Sequence, residues 1–162
     1  MQEIEYKFLV NKDKWLLAEK PKPKIIVQGF ITKTKDKTVR VRIKNEQAFL
    51  TIKGPTKGIT RTEFEYEIPL EDAESLLDEF TEKQICKKRY EIKNEHHTWE
   101  VDVFEGHLEG LIIAELEVKS ETELFALPEW ATKNVSLDVR YYNAVLIDLS
   151  KEEVKKLINE KA

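Results

Sequence analysis

Residues 38–68 read TVRVRIKNEQAFLTIKGPTKGITRTEFEYEI, and their period of two decides the fold. Val39, Val41 and Ile43 alternate with Arg40, Arg42 and Lys44, and Phe64, Tyr66 and Ile68 alternate with Glu63, Glu65 and Glu67. Such alternation marks a strand, because successive side chains leave opposite faces of a pleated backbone. Between these two strands 48–54 reads as a third, and the turn-like Gly54–Gly58 returns the chain.

Working outward, the same period predicts strands over 2–9, 25–32, 38–44, 48–54, 60–68, 84–93, 98–104 and 111–119, with a second turn-like piece at Lys33–Lys37. The helical period is confined to 11–19, 70–80, a short piece near 121–126, and 141–160. Parallel strands would need a helix-sized crossover after nearly every one, so short consecutive strands favour an antiparallel barrel or sandwich. The bore of an eight-stranded barrel admits side chains or one small ligand.

The 162 residues fit one domain on the prior of about 150 per domain. Charged residues make up 36%, well above the roughly 25% of ordinary domains. Yet 27 Lys+Arg against 31 Asp+Glu leave a net charge of only -4, so no bulk basic field invites nucleic acid. Cys86 is the only cysteine, which excludes an intrachain disulfide and fits a reducing cytoplasm. The start MQEIEYKFLV has glutamates where a secretory signal has basic residues, and no apolar run approaches the ~20 residues of a membrane span. The expectation is a cytoplasmic protein with neither nucleic-acid nor membrane partners.

The charges are segregated by strand. Glu3 and Glu5 precede Lys7 on one face; Arg40 and Arg42 share another; Glu63 and Glu65, Lys87 and Arg89, Glu100 and Asp102, and Glu115 and Glu117 follow as pairs. Each pair could be the solvated face of a half-buried sheet. A surface tuned only for solubility intersperses its signs, however, since like charges side by side repel. Acidic and basic pairs together could build one site, carboxylates holding a hard cation and guanidinium and ammonium groups holding a polyanion. Mg²⁺ with a polyphosphate is the natural ligand pair, although periodicity alone leaves open whether the charged face looks into a barrel or out to water.

Glu3-Ile4-Glu5-Tyr6-Lys7 resembles the ExExK signature of the CYTH superfamily, the triphosphate tunnel metalloenzymes. It is followed in that family's order by IVQGFI at 26–31, VRVRI at 39–43, LTIKGP at 50–55, RTEFEYEI at 61–68, KKRY at 87–90, WEVDVFEG at 99–106, IAELEV at 113–118 and DVRYYN at 138–143. The resemblance implies a mainly β (α+β) fold over 1–162, an eight-stranded antiparallel β-barrel open as a tunnel with helices packed outside. It is nearest to the short bacterial inorganic triphosphatases, which use Mg²⁺ or Mn²⁺. Class IV adenylate cyclases and thiamine triphosphatases share the signature, and fold transfers more safely than reaction.

By position in the matching motifs, the resemblance implies Glu3, Glu5, Glu115 and Glu117 as metal ligands, with Glu63 and Glu65 as further ligands. It implies Lys7, Arg40, Arg42, Lys53, Lys87 and Arg89 as the triphosphate cradle, with Arg140 as an extra contact. Lys53, Glu63 and Glu65 are the candidates to orient the attacking water. His96, His97 and His107 lack ligand spacing, Cys86 reads as a small strand residue, and Trp15, Trp99 and Trp130 read as packing anchors. Phe30 stands where the family usually has tyrosine, so a hydroxyl is lost there. The expected activity is hydrolysis of inorganic triphosphate to diphosphate and phosphate. The alternatives are a class IV adenylate cyclase, a thiamine or nucleoside triphosphatase, or a noncatalytic polyphosphate-binding module. The partner is a small-molecule triphosphate, with a homodimer as a further possible assembly.

Overall fold

The computed structural model describes residues 1–160, so the last two positions of the expected 1–162 domain lie outside the described residues. In chain order it comprises β1 (Gln2–Val10), α1 (Lys12–Leu17), β2 (Lys24–Lys33), β3 (Thr38–Lys44), β4 (Gln47–Lys53), β5 (Thr60–Ile68), α2 (Leu70–Phe80), β6 (Ile85–Asn94), β7 (His97–Phe104), β8 (Ile112–Glu117), β9 (Ala131–Asn134), α3 (Asn143–Leu146) and α4 (Lys151–Asn159). Two 3-10 turns lie at Gly106–Leu108 and Val139–Tyr141. All eight predicted strands are present, 38–44 and 60–68 with the same ends and the others with ends shifted by one or two residues. None of the described helices is long and apolar enough to cross a membrane.

The strand order β5-β4-β3-β2-β6-β7-β8-β1 closes on itself through a β1–β5 pairing, giving an eight-stranded antiparallel barrel with β9 as an extra piece. β1 makes the closure by pairing with three strands. Gln2 to Ile4 meet β5, Glu5 to Leu9 meet β8, and Phe8 and Val10 meet β9. Asn45 starts the tight β3–β4 turn with φ 56, a conformation asparagine tolerates, and its Oδ1 accepts the Ile25 N–H at 2.9 Å.

Residues paired across an antiparallel ladder share a face, so the register assigns each side chain to bore or exterior. Val41 and Ala48, on the exterior, pack under Ala73 and Leu77 of α2. A second exterior cluster contains Phe8, Trp99, Val101 and Ala114 with Trp15 and Trp130, the three tryptophans serving as packing anchors. Trp15 and Trp99 each meet Trp130 edge-on, with ring centroids 5.5 and 5.9 Å apart. The largest cluster lies inside one end of the bore. Ile85 pairs with Gln28, Phe104 with Lys87 and Ile113 with Asp102, all bore-facing, and they pack against Leu146, Ile147, Val154 and Leu157.

The expectation of helices packed outside therefore holds for α1 and α2, whereas α3 and α4 stop one end of the bore. The reason is physical: Ile85, Phe104 and Ile113 turn apolar surface into the bore, and wet apolar surface costs about 25 cal/mol per Å². The predicted 121–126 helix is not formed. That stretch is irregular, with Phe125 packed on Trp99 at 5.9 Å between centroids.

Candidate active site

The bore encloses a cavity of about 640 Å³. Strands β1, β3, β4, β5, β6 and β8 deliver Glu3, Glu5, Lys7, Arg40, Arg42, Lys53, Glu63, Glu65, Lys87, Arg89, Glu115 and Glu117 to its wall. Arg140 is the exception. Its guanidinium is turned away, held by Asp138 at 2.7 Å and Glu160 at 2.6 Å on the exposed surface. The same C-terminal motif instead sends Tyr142 and Asn143 to the cavity. In a 3-10 turn leading into a short helix no period of two or 3.6 tells which side chain faces in, so sequence spacing could not have chosen Asn143 over Arg140.

Four ion-pair groups organise the wall. Lys53 Nζ bridges Glu3 Oε2 at 2.9 Å and Glu63 Oε2 at 3.1 Å. Lys7 Nζ bridges Glu5 Oε1 at 3.1 Å and Glu115 Oε2 at 2.7 Å. Asp102, buried inside the bore, grips Arg89 through Nε and Nη2, both at 2.7 Å, and Lys87 Nζ at 2.8 Å. Arg89 also reaches Glu115 at 2.9 Å and Glu100 at 3.0 Å. Arg40 and Arg42 share Glu65 Oε2 at 3.4 Å each, and Thr51 Oγ1 donates to the same oxygen at 2.9 Å.

Arg89 is therefore fully engaged with carboxylates, whereas Arg40 and Arg42 hold theirs at the long limit of contact and are the arginines freest to receive an anion. Asp102 and Glu100 were legible in the sequence as a charged pair on β7; what it hid was that Asp102 sits beneath the cavity, fixing the basic residues of β6.

Crowding shows in the proton affinities. Burial, with the hydrogen-bonded Glu3 beside it, pushes Glu63 up to about 7. Burial would raise Glu3 too, but Lys53 outweighs it and holds Glu3 down at about 2. Glu5 is pushed well up by burial and by Glu115, while Glu115 is held well down by Lys7 and Arg89 despite its burial. Burial also lowers Lys87 to about 8, and burial with neighbouring Arg40 lowers Arg42 to about 10.

Among the described residues no three carboxylate, imidazole or thiol side chains stand close enough to enclose a cation as placed; Lys7 and Lys53 sit between the acids. The donor set nevertheless fits a hard divalent ion. It is made of carboxylate oxygens alone, and burial together with mutual crowding raises the proton affinity of Glu5 and Glu63, a repulsion that a bound cation would relieve.

The family description for the CYTH domain matches residues 1–142. An inorganic triphosphatase of Acetivibrio thermocellus is 44% identical over 147 residues, covering 90% of this chain and 93% of that protein. An inorganic triphosphatase of Nitrosomonas europaea is 33% identical over 154 residues, covering 90% and 97%. A crystal structure of an inorganic triphosphatase shares the fold with a TM-score of 0.60 at 31% identity, covering 90% of this chain and 93% of that one.

Proposed function

The chain belongs to the CYTH family, and from that premise we propose that it is a metal-dependent hydrolase that cleaves inorganic triphosphate to diphosphate and phosphate inside its barrel. The observation that carries this reading is the bore wall itself, where acidic pairs on β1, β5 and β8 and basic pairs on β3 and β6 border one cavity.

In this reading Glu3, Glu5, Glu115 and Glu117 hold the divalent cation, Mg²⁺ or Mn²⁺, and Lys7 and Lys53 turn from the acids to the incoming phosphates. When bound, the cation neutralises charge on the phosphate oxygens and makes water easier to deprotonate. Arg40 and Arg42 receive the phosphates through paired N–H groups. Lys87 adds a point charge, and Arg89, anchored by Asp102, keeps that side of the cradle cationic. Water bonds to the terminal phosphorus as the bond to the bridging oxygen breaks, diphosphate departs with the electron pair, and Glu63 takes the proton. Positioning and charge supply most of such a reaction, so a rigid ion-paired wall suits it.

The test is release of phosphate from a panel of triphosphates with and without Mg²⁺ or Mn²⁺. Binding energy concentrated on the phosphate chain predicts kcat/KM for inorganic triphosphate at least about tenfold above that for ATP, roughly 1.4 kcal/mol of discrimination. A nucleoside or thiamine triphosphate is the second reading, favoured by one observation: Phe30, Ile59, Val139, Tyr142 and Val145 add apolar surface to the cavity wall. ATP consumed as fast as inorganic triphosphate would establish it, and cyclic AMP as product would overturn hydrolysis.

The raised Glu63 and lowered Lys87 lead to an expected pH profile. A base must be ionised and a cradle cation protonated in the free enzyme, and kcat/KM reports both. The expected profile rises through about 7 as Glu63 loses its proton and falls through about 8 as Lys87 loses its own. In Glu63→Gln the acid limb near neutrality disappears along with most of the rate; an unchanged acid limb would remove Glu63 from that role.

A further inference from the structure

Gln28 lies in the β2 segment of the barrel wall. Its backbone pairs with Arg42 on one side and Ile85 on the other, and Phe30 pairs with Arg40, so Gln28 and Phe30 face the bore. Gly29 between them faces outward, where an added Cβ would lie 2.9 Å from Thr81 Oγ1. Gln28 is wholly buried, at 0% exposure, and neither its amide nitrogen nor its amide oxygen has a hydrogen-bond partner among the described residues. Buried amides are ordinarily paired, so one unpaired at both ends calls for a reason.

Arg42 Nε, on the directly opposite residue, is buried and likewise without a partner. Opposed residues on one face of a ladder bring their Cβ atoms within about 4.5–5.5 Å. A carbonyl lacking a donor thus belongs to the residue directly across the ladder from one whose N–H lacks an acceptor. Arg42 meanwhile reaches Glu65 only through Nη2, at 3.4 Å.

We infer that Gln28 is the positioning residue for Arg42 in the triphosphate-bound protein: its Oε1 accepts the Arg42 Nε–H once phosphate draws the guanidinium off Glu65. The inference rests on the triphosphatase reading. A guanidinium grips phosphate with its planar fork, and an acceptor at Nε fixes that plane while leaving both Nη groups for the anion. A carboxylate at position 28 would compete with phosphate for the arginine, and an apolar side chain would leave Nε unsatisfied in the bound state as well. An amide does neither.

Steady-state kinetics with inorganic triphosphate at saturating Mg²⁺ tests this, together with thermal melts of the empty protein. In Gln28→Leu, KM rises about tenfold, the scale of one hydrogen bond to a charged group, while kcat changes little. The empty variant melts no lower than wild type, because an apolar side chain replaces an unpaired amide. Gln28→Met gives the same readings if the leucine variant folds poorly. Arg42→Lys has no Nε–H, so adding Gln28→Leu to it raises KM no further. An unchanged KM in both single variants of Gln28, or independent losses in the double variant, overturns the inference. A wild-type protein that neither hydrolyses triphosphate nor is stabilised by it would overturn the parent reading and this one with it.

Discussion

Asp102→Asn melts roughly 10 °C below wild type, following from a loss of about 3–5 kcal/mol at some 2–4 °C per kcal/mol for a chain of this size. Asp102 is 1% exposed and is the anion shared by Lys87 Nζ and the Nε and Nη2 of Arg89. Asparagine preserves the shape but removes the charge, leaving two buried cations side by side with Glu115 and Glu100 to compensate only Arg89. One amide oxygen can still accept from Arg89, yet the amide nitrogen then points a donor at a donor. The same change misplaces Lys87, so KM for triphosphate rises as well. Circular dichroism melts check the first effect, and a melting temperature within a degree or two of wild type would mean that the buried network contributes little to the fold.

Glu5→Gln, by contrast, removes activity and spares the fold. Burial and Glu115 push the Glu5 carboxyl well up, so in the empty protein it keeps its proton to a higher pH than in the unfolded chain. A carboxyl raised in this way favours the folded state at low pH, and that contribution disappears as pH climbs through its elevated value. Glutamine imitates the protonated form and does not titrate, so the empty variant is at least as stable as wild type at neutral pH and above. A divalent cation requires the ionised form. Turnover at limiting Mg²⁺ should fall at least about 10²-fold, the upper end of what altering a ligand's supporting partners already produces. Calorimetric titration of Mg²⁺ separates binding from chemistry, and wild-type turnover by Glu5→Gln at limiting Mg²⁺ would remove this residue from the metal site.

The strands were legible because alternation and burial coincide wherever one face is wholly charged, as in Arg40 and Arg42 or Glu63 and Glu65. That rule weakens where both faces are apolar. Around Ile85, Phe104 and Ile113 apolar residues turn into the bore, and only tertiary structure shows that the C-terminal helices meet them there. β9 is four residues long and has no alternation of its own, being held by β1 through Phe8 and Val10. Residues 121–126 look helical by period, but Glu121 and Glu123 bond Thr60 at 2.6 Å and His97 at 2.8 Å, and these long-range contacts replace a helical turn. Gln28 could be read only as part of a motif; its unpaired amide becomes visible once the register sets it opposite Arg42.

The threefold pairing of β1 has a further consequence during synthesis. Of the barrel strands, β1 is made before its partners and carries Glu3, Glu5 and Lys7, but its lateral partners are β5, β8 and β9, all made much later. Loop closure of this span is slow compared with hairpin formation, so β2 to β5 and β6 to β8 can zip locally while β1 waits. Until it docks, the nascent sheet has two open edges, β5 and β8, each carrying a row of glutamates that opposes edge-to-edge association with another nascent chain. The acidic residues proposed to serve the finished tunnel would thus already act as gatekeepers against aggregation, and the last strand-pairing event would be the one that completes the site.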